Sequence, residues 1–358
     1  MAESIGRFVS ILVFRVRGGG AEKIAMRLAC LLNQHNQLST VYTGMSTDLD
    51  KFPSLPVVVL NSARALGASL PLAKRLRRDP ATSFLLTANY AALAPIVRIR
   101  KPRSRIIVRI ANSVSVEIGT LSRFARLRYW LATALMCACA DKIVVQGEEM
   151  HADLIKMLPW TKPKLELIYN FLEEEVWACQ PKASAFGRPY ILCAATFRYQ
   201  KGFDLLLAAF ARSEARRTRT LVIAGVEEVD AEFSDLMRVN GLSDSEVVRL
   251  GFIDGLYDLI ANAELCVLSS RYEGFSNFLL EAAAFGKLLV ATTCPGSREI
   301  LSAYKNSIGI PVGDITQLAS ALAAPRHDID RKSARSQLSQ FEETTAVRRY
   351  LETLACCI

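Results

Sequence analysis

Short apolar runs alternate with amphipathic stretches through the first half of the chain. Runs at residues 8–14, 57–60, 84–87, 106–110, 143–146 and 165–168 have strand length, and helical spacing separates them. Strands that are apolar on both faces belong in a parallel sheet covered by helices, so this alternation predicts a doubly wound α/β domain. Between Glu173 and Pro189 the pattern stops at three glutamates, Pro181, Gly187 and Pro189, as an interdomain linker would. It resumes with runs at 191–195, 221–224, 247–250, 265–268 and 288–292. The pattern predicts two Rossmann-like domains with a cleft between them, residues 1–175 and 188–340. Residues 341–358 form a C-terminal amphipathic helix that is free to pack back on the N-terminal domain.

Length agrees, since 358 residues exceed one ordinary domain. The longest apolar run, 129–140, falls short of the ~20 residues that span a bilayer. The run at 8–14 enters a glycine loop without a small-residue cleavage site, so it reads as a buried strand rather than a leader. Nine cysteines lie mostly in apolar stretches, which suits reduced core thiols of a cytosolic protein. Cys137 and Cys139 lack a second pair and a nearby His, so no metal site is expected.

Charge changes the picture more. Residues 1–178 hold 24 Lys and Arg against 14 Asp and Glu, a balance of +10, while residues 179–358 hold 20 against 21, a balance of −1. Such asymmetry points to an anionic partner of the first half. Basic clusters occur at Lys74, Arg75, Arg77 and Arg78, at Arg98, Arg100, Lys101, Arg103 and Arg105, and at Arg123, Arg126 and Arg128. No aromatic residues interleave the first two, so a membrane surface is expected rather than nucleic acid. A solvated basic face is the plainer alternative.

Candidate chemistry concentrates in the second half. Residues 268–292 read as strand, loop, helix, strand. Glu273 lies in the loop at a strand's carboxyl end, where open α/β sheets bind ligands. Asn277 is the expected helix cap, with Glu281 in the first turn and Gly286 as the stop. The plain alternative leaves Glu281 as a favourable dipole contact and Glu273 in solvent. Upstream, Arg198 and Lys201 bracket the start of another helix directly after a strand, which places two cations beside a positive helix end.

RYEGFSNFLLEA resembles the glutamate, seven residues, glutamate signature of retaining GT-B glycosyltransferases, especially glycosyltransferase family four. ATFRYQKGFDLLLAAF resembles that family's strand, loop and helix that hold the donor diphosphate. Weaker likenesses are GGGAEKIAMRLACLL, ADKIVVQGEEM, LELIYNFLE, CPGSREIL and IGIPVGD. The resemblance implies a GT-B fold, no metal or other cofactor, and a nucleotide-diphosphate sugar as donor, with a UDP-sugar favoured over a GDP-sugar. It implies that Arg198 and Lys201 hold the diphosphate and Glu281 the ribose hydroxyls. Glu273 would hold the transferred sugar together with the amides of Gly274, Phe275, Ser276 and Asn277. Gly18, Gly19 and Gly20 would lie near acceptor and phosphates, and Phe252 beside the nucleotide. One departure is that many family members place a His at a strand end where this chain has Ala111 and Asn112. Arg109 or Asn112 is the expected replacement.

The glycines at 18–20 lack the GxGxxG spacing of a dinucleotide site. Asp48 with Asp50, and Asp328 with Asp330, match a metal-binding triplet but read as loop charges. The expected function is a retaining, metal-independent glycosyltransferase. It works at the cytoplasmic membrane face and adds a sugar to a lipid-linked saccharide of a surface polysaccharide. A nucleotide-sugar epimerase on the same fold and a non-catalytic GT-B-like interaction protein are the rivals.

Overall fold

The computed structural model describes residues 8–354 apart from 17–19, 63, 120, 184, 185, 187, 228, 229 and 254. The chain divides into two compact units, Met1–Asn170 with Thr344–Ile358, and Phe171–Glu343.

The first unit is built on strands β1 (Val9–Val13), β2 (Leu38–Thr43), β3 (Val57–Val59), β4 (Ser83–Thr87), β5 (Arg105–Arg109), β6 (Lys142–Val145) and β7 (Leu165–Leu167). All pair in parallel, in the order β3-β2-β1-β4-β5-β6-β7. Its helices are α1 (Gly20–Gln34), α2 (Ala65–Leu76), α3 (Ala94–Arg100), α4 (Val114–Gly119), α5 (Arg123–Cys139) and α6 (Glu148–Met157). Every residue of β1 and β4 is buried, which is why these strands read as unbroken apolar runs.

In the second unit, helix α7 (Glu174–Ala178) precedes β8 (Tyr190–Ala194), α8 (Phe203–Arg212), α9 (Ala215–Thr218), β9 (Thr220–Ala224) and α10 (Ala231–Val239). Next come β10 (Val247–Arg249), α11 (Leu256–Asn262), β11 (Leu265–Leu268), α12 (Asn277–Ala284), β12 (Leu289–Thr292) and α13 (Arg298–Ala303). The unit ends with β13 (Ser307–Ile310), α14 (Ile315–Leu322) and α15 (Arg331–Gln337), and its parallel sheet runs β10-β9-β8-β11-β12-β13. Helix α16 (Glu343–Leu354) then packs in the first unit. There Ser83 Oγ donates to the Leu354 carbonyl at 3.0 Å and Arg105 Nε to the Thr353 carbonyl at 2.6 Å.

Three local expectations change. The segment expected as plain linker contains α7, whose Val176 is fully buried. Strands β2 and β13 fall outside the predicted set. In β2, Ser39 and Thr40 interrupt the apolar run, and the strand exists because β1 and β3 bond it on both sides. The pair Asp328 and Asp330 is structural, since Asp328 meets the buried ammonium of Lys287 at 2.8 Å and Asp330 caps α15.

In the second basic cluster Arg100 and Arg103 are exposed, while Arg98, Lys101 and Arg105 are half-buried and engaged within the unit. Arg98 donates to Asp141 at 2.6 Å and to the Cys139 carbonyl, while Lys101 Nζ donates to the Asp79 carbonyl at 2.5 Å. Lys74, Arg75, Arg77 and Arg78 are exposed.

Asp79, between α2 and β4, is buried and joins three parts of the first unit. It accepts from Ser10 Oγ at 2.7 Å, Tyr42 Oη at 2.8 Å, Ser39 Oγ at 2.8 Å and the Ala81 amide at 2.9 Å. Burial, then the neighbouring Asp79 charge, pushes the Tyr42 phenol well above its ordinary value, so it stays a donor. Asp79→Asn replaces an acceptor oxygen by a donor and leaves buried hydroxyls unpaired. A stability loss of about 1–3 kcal/mol is expected in urea unfolding, and an unchanged midpoint would contradict this role.

Candidate active site

In the second unit the strand order reverses between β8 and β11, where β8 continues to β9 on one side and β11 to β12 on the other. The carboxyl ends of strands at such a reversal flank an open crevice. Arg198 and Lys201 follow β8, and Glu273 follows β11.

The loop after β8 is fixed by what comes next in sequence. Leu206, Leu207 and Phe210 of α8 are fully buried, each contributing about 1.5–3 kcal/mol. Phe203, the first residue of α8, packs edge-on against Phe233 with ring centroids 5.5 Å apart, and Phe197 closes the cluster at 6.0 Å from Phe203. Gly202, with φ +62°, turns the chain into the helix. A Cβ there would sit 2.3 Å from the Ser269 carbonyl oxygen, so the turn demands glycine.

The loops after β8 and β11 are clasped together. Ser269 Oγ donates to the Lys201 carbonyl at 2.9 Å, Gln200 Nε2 to the Tyr272 carbonyl at 3.0 Å, and the Arg271 amide to the Gln200 carbonyl at 2.8 Å. Arg271 forks onto both oxygens of Asp204 at 2.9 and 2.6 Å and lies 4.1 Å over the Tyr199 ring. Its hydrogen bonds hold the Asp204 carboxyl below the usual range. Sequence reasoning missed Asp204, Ser269, Ser270 and Arg271. Asp204 and Arg271, and Ser269 and Lys201, are partners nearly 70 residues apart along the chain, so no local spacing marks them, while Ser270 meets Glu273 three residues on and Thr292 on the neighbouring strand.

At the centre, Lys201 Nζ donates to Glu273 Oε1 at 2.6 Å and Oε2 at 2.9 Å. Ser270 Oγ donates to Oε1 at 2.5 Å, and the Glu273 amide reaches the Pro295 carbonyl at 2.9 Å. Glu273 is 4% exposed, so the solvated alternative does not hold. Beneath the pair, burial pushes the Cys193 thiol up to about 12. Arg198 and Lys201, expected as a basic pair, have different surroundings in the structure. Lys201 is turned to Glu273 because a mostly buried ammonium needs a counter-charge, while Arg198 is exposed with no side-chain partner among the described residues.

The helix after the loop starts one residue earlier than expected. Ser276, not Asn277, caps α12, its Oγ accepting from the Leu279 amide at 3.3 Å. Asn277 is the first helical residue, and the buried Glu281 stands in the second turn, beyond the reach of a first-turn dipole contact. Gly286 stops the helix with φ +74° as expected. Of the four loop amides, that of Ser276 is taken by the Gly296 carbonyl at 3.4 Å. The Phe275 ring packs edge-on against Phe341 at 5.5 Å. Phe252, after β10, is 64% exposed.

In the first unit, Gly20 begins α1, while Gly18 and Gly19 lie outside the described residues. Both replacements expected for the family's His are engaged. Arg109 is fully buried, with Nε donating to Tyr350 Oη at 3.0 Å and Nη2 to Asn170 Oδ1 at 2.6 Å. Asn112 Nδ2 donates to Glu117 Oε1 at 2.7 Å. Among the described residues, no three His, Cys, Asp or Glu side chains gather as a metal-binding group.

Two doubly wound parallel sheets, one with this clasped pair at its switch point, have the architecture of the GT-B glycosyltransferases, and the chain is such an enzyme. More particularly, residues 188–326, which contain Lys201, Glu273 and Glu281, match the family model Glycosyl transferases group 1. Across 97% of this chain and 99% of its own length, a *Campylobacter jejuni* enzyme is 22% identical. It is the N-acetylgalactosamine-N,N'-diacetylbacillosaminyl-diphospho-undecaprenol 4-alpha-N-acetylgalactosaminyltransferase. Glycogen synthase of *Mycobacterium tuberculosis* is 26% identical over 59% of this chain and 50% of its own. Among solved structures, Anabaena HepE in complex with UDP-glucose superposes with a TM-score of 0.77 at 18% identity, covering 97% of this chain and 99% of that one. The lipopolysaccharide-biosynthesis glycosyltransferase WaaG superposes at 0.71 and 16% identity, covering 97% and 95%.

Proposed function

We propose that this glycosyltransferase moves a sugar from a nucleotide-diphosphate donor, with a UDP-sugar favoured, to a lipid-linked saccharide of a surface polysaccharide, and that it retains the anomeric configuration. The observation that carries the reading is the Lys201–Glu273 pair, built by the clasp at the switch point of the second unit. Departure of the nucleoside diphosphate concentrates negative charge on the outer phosphate. Arg198, Lys201 and the positive end of α8 are the groups to stabilise it without a metal. Glu273 and the Gly274 amide serve the sugar, and Glu281 the ribose. Support for the donor is the UDP-glucose complex of HepE, and support for the acceptor is the undecaprenol-linked substrate named for the *Campylobacter* relative.

The enzyme works against the inner face of the membrane in this reading. No described helix is long and apolar enough to cross a bilayer. Helix α5 instead exposes Phe124, Leu127, Leu131 and Leu135, with Arg123, Arg126 and Arg128 interleaved. An apolar stripe flanked by cations suits an anionic lipid surface, where each Arg adds about 1 kcal/mol. The protein is expected to co-sediment with anionic vesicles at low salt and to come off at high salt. Failure to bind at low ionic strength would remove this part of the reading.

The deciding experiment is a thermal-shift series against UDP-, GDP- and ADP-sugars. A true donor at 100 times its dissociation constant adds about 2.7 kcal/mol, whereas no response to any nucleotide favours an interaction protein. Donor turnover without acceptor would favour the epimerase. Transfer is expected to persist in excess EDTA, and loss restored by manganese would overturn the metal-free mechanism.

A further inference from the structure

Glu273 sits in a short polar chain that the reaction chemistry alone does not call for. Ser270 lies just beyond the end of β11 and is fully buried. Its hydroxyl gives its one proton to Glu273 Oε1 at 2.5 Å, and its carbonyl accepts from Thr292 Oγ1 at 2.5 Å. Thr292, the last residue of β12, is buried as well, so two adjacent strand ends fix the serine. Among the described residues, Oε1 thus receives Ser270 and the shorter Lys201 contact at 2.6 Å, while Oε2 receives Lys201 alone at 2.9 Å. A carboxylate oxygen has two lone-pair directions, so Oε1 is filled and Oε2 keeps room for one more donor.

We propose that Ser270 is a positioning residue that holds the Glu273 carboxylate with Oε2 turned outward as the edge that accepts a hydroxyl of the transferred sugar. This rests on the assignment of Glu273 to the sugar. Lys201 alone does not define the orientation, because an ammonium on a flexible stem follows either oxygen. Ser270 does, since its carbonyl is held by Thr292 at the end of β12 and its hydroxyl reaches one oxygen only. The serine touches no substrate and acts through the glutamate.

The test is a double-mutant cycle on the full-length enzyme, with donor turnover and nucleotide affinity measured for Ser270→Ala, Glu273→Gln and the double variant. Ser270→Ala should lower kcat by roughly 10- to 100-fold, as for loss of a charged hydrogen bond, and leave affinity for free UDP within about twofold. On the Glu273→Gln background the same change should cost almost nothing more, because the group it serves is already altered. Ser270→Thr, which keeps the hydroxyl, should recover most of the lost kcat. Equal losses on both backgrounds would mean a merely structural serine and overturn the proposal. Full activity of Ser270→Ala alongside an inactive Glu273→Gln would overturn it too, with the role of Glu273 intact. Full activity of Glu273→Gln would instead sink the assignment on which the proposal rests.

Discussion

Glu273→Ala is expected to lower transfer by at least about 100-fold while leaving affinity for the free nucleotide nearly unchanged. A carboxylate that meets the sugar contributes mainly as the glycosidic bond breaks, so its loss falls on kcat. Lys201→Ala is expected to harm both, because the diphosphate is present in ground and transition states alike. The ion pair adds a consequence for stability. Its side chains are 20% and 5% exposed, so deleting one partner strands a buried charge, at a cost of about 3–5 kcal/mol. The double variant Lys201→Ala with Glu273→Ala strands none and should lose less than the two singles added together. Denaturant unfolding and transfer kinetics on the four proteins measure this. Additive losses would show that the pair does not form in solution, and a soluble Glu273→Ala protein with full activity would end the active-site assignment.

Gly202→Ala should be nearly as damaging, though the residue carries no functional group. A left-handed alanine costs roughly 1–2 kcal/mol by itself. Gly241, with φ +63° and open space around it, isolates that term, and Gly241→Ala should lose no more. At Gly202 the new methyl would also lie 2.3 Å from the Ser269 carbonyl oxygen, in backbone that cannot step aside without opening the clasp. Lys201 rides on that clasp, so nucleotide affinity and turnover should fall together, each by tenfold or more on the roughly 1.4 kcal/mol per decade scale. Equal effects of the two alanines on stability, with activity retained at position 202, would refute the close approach.

The first unit offers a caution about reading charge from composition. The cluster at 98–105 looks like a basic surface in the sequence, yet Arg98, Lys101 and Arg105 spend their donors on backbone carbonyls and on Asp141. The cations left for an anionic surface are Arg100 and Arg103 of that cluster and those of α2 and α5. Arg109, the expected stand-in for the family's His, is likewise committed, to Tyr350 of α16 and to Asn170.

Two parallel sheets, most of their strands, the helix after Lys201 and the stop at Gly286 could be read from the linear pattern. Apolar runs of strand length, helical spacing and glycine punctuation are local, and burial imposes them on neighbouring residues. Glu273, Glu281 and Lys201 could be singled out because each sits where a strand ends or a helix begins. The pairing of Lys201 with Glu273 could not, nor could the clasp of Asp204 and Arg271 or the support from Ser270. The first two join segments about 70 residues apart that meet only because β8 and β11 lie side by side at the reversal of the sheet, and Ser270 is held in place by Thr292 of the neighbouring strand β12. The same reason hid β2, whose polar residues become a strand only between two neighbours. Hydrophobic periodicity specifies which face of an element is buried, whereas the partner it is buried against is chosen by the topology of the sheet.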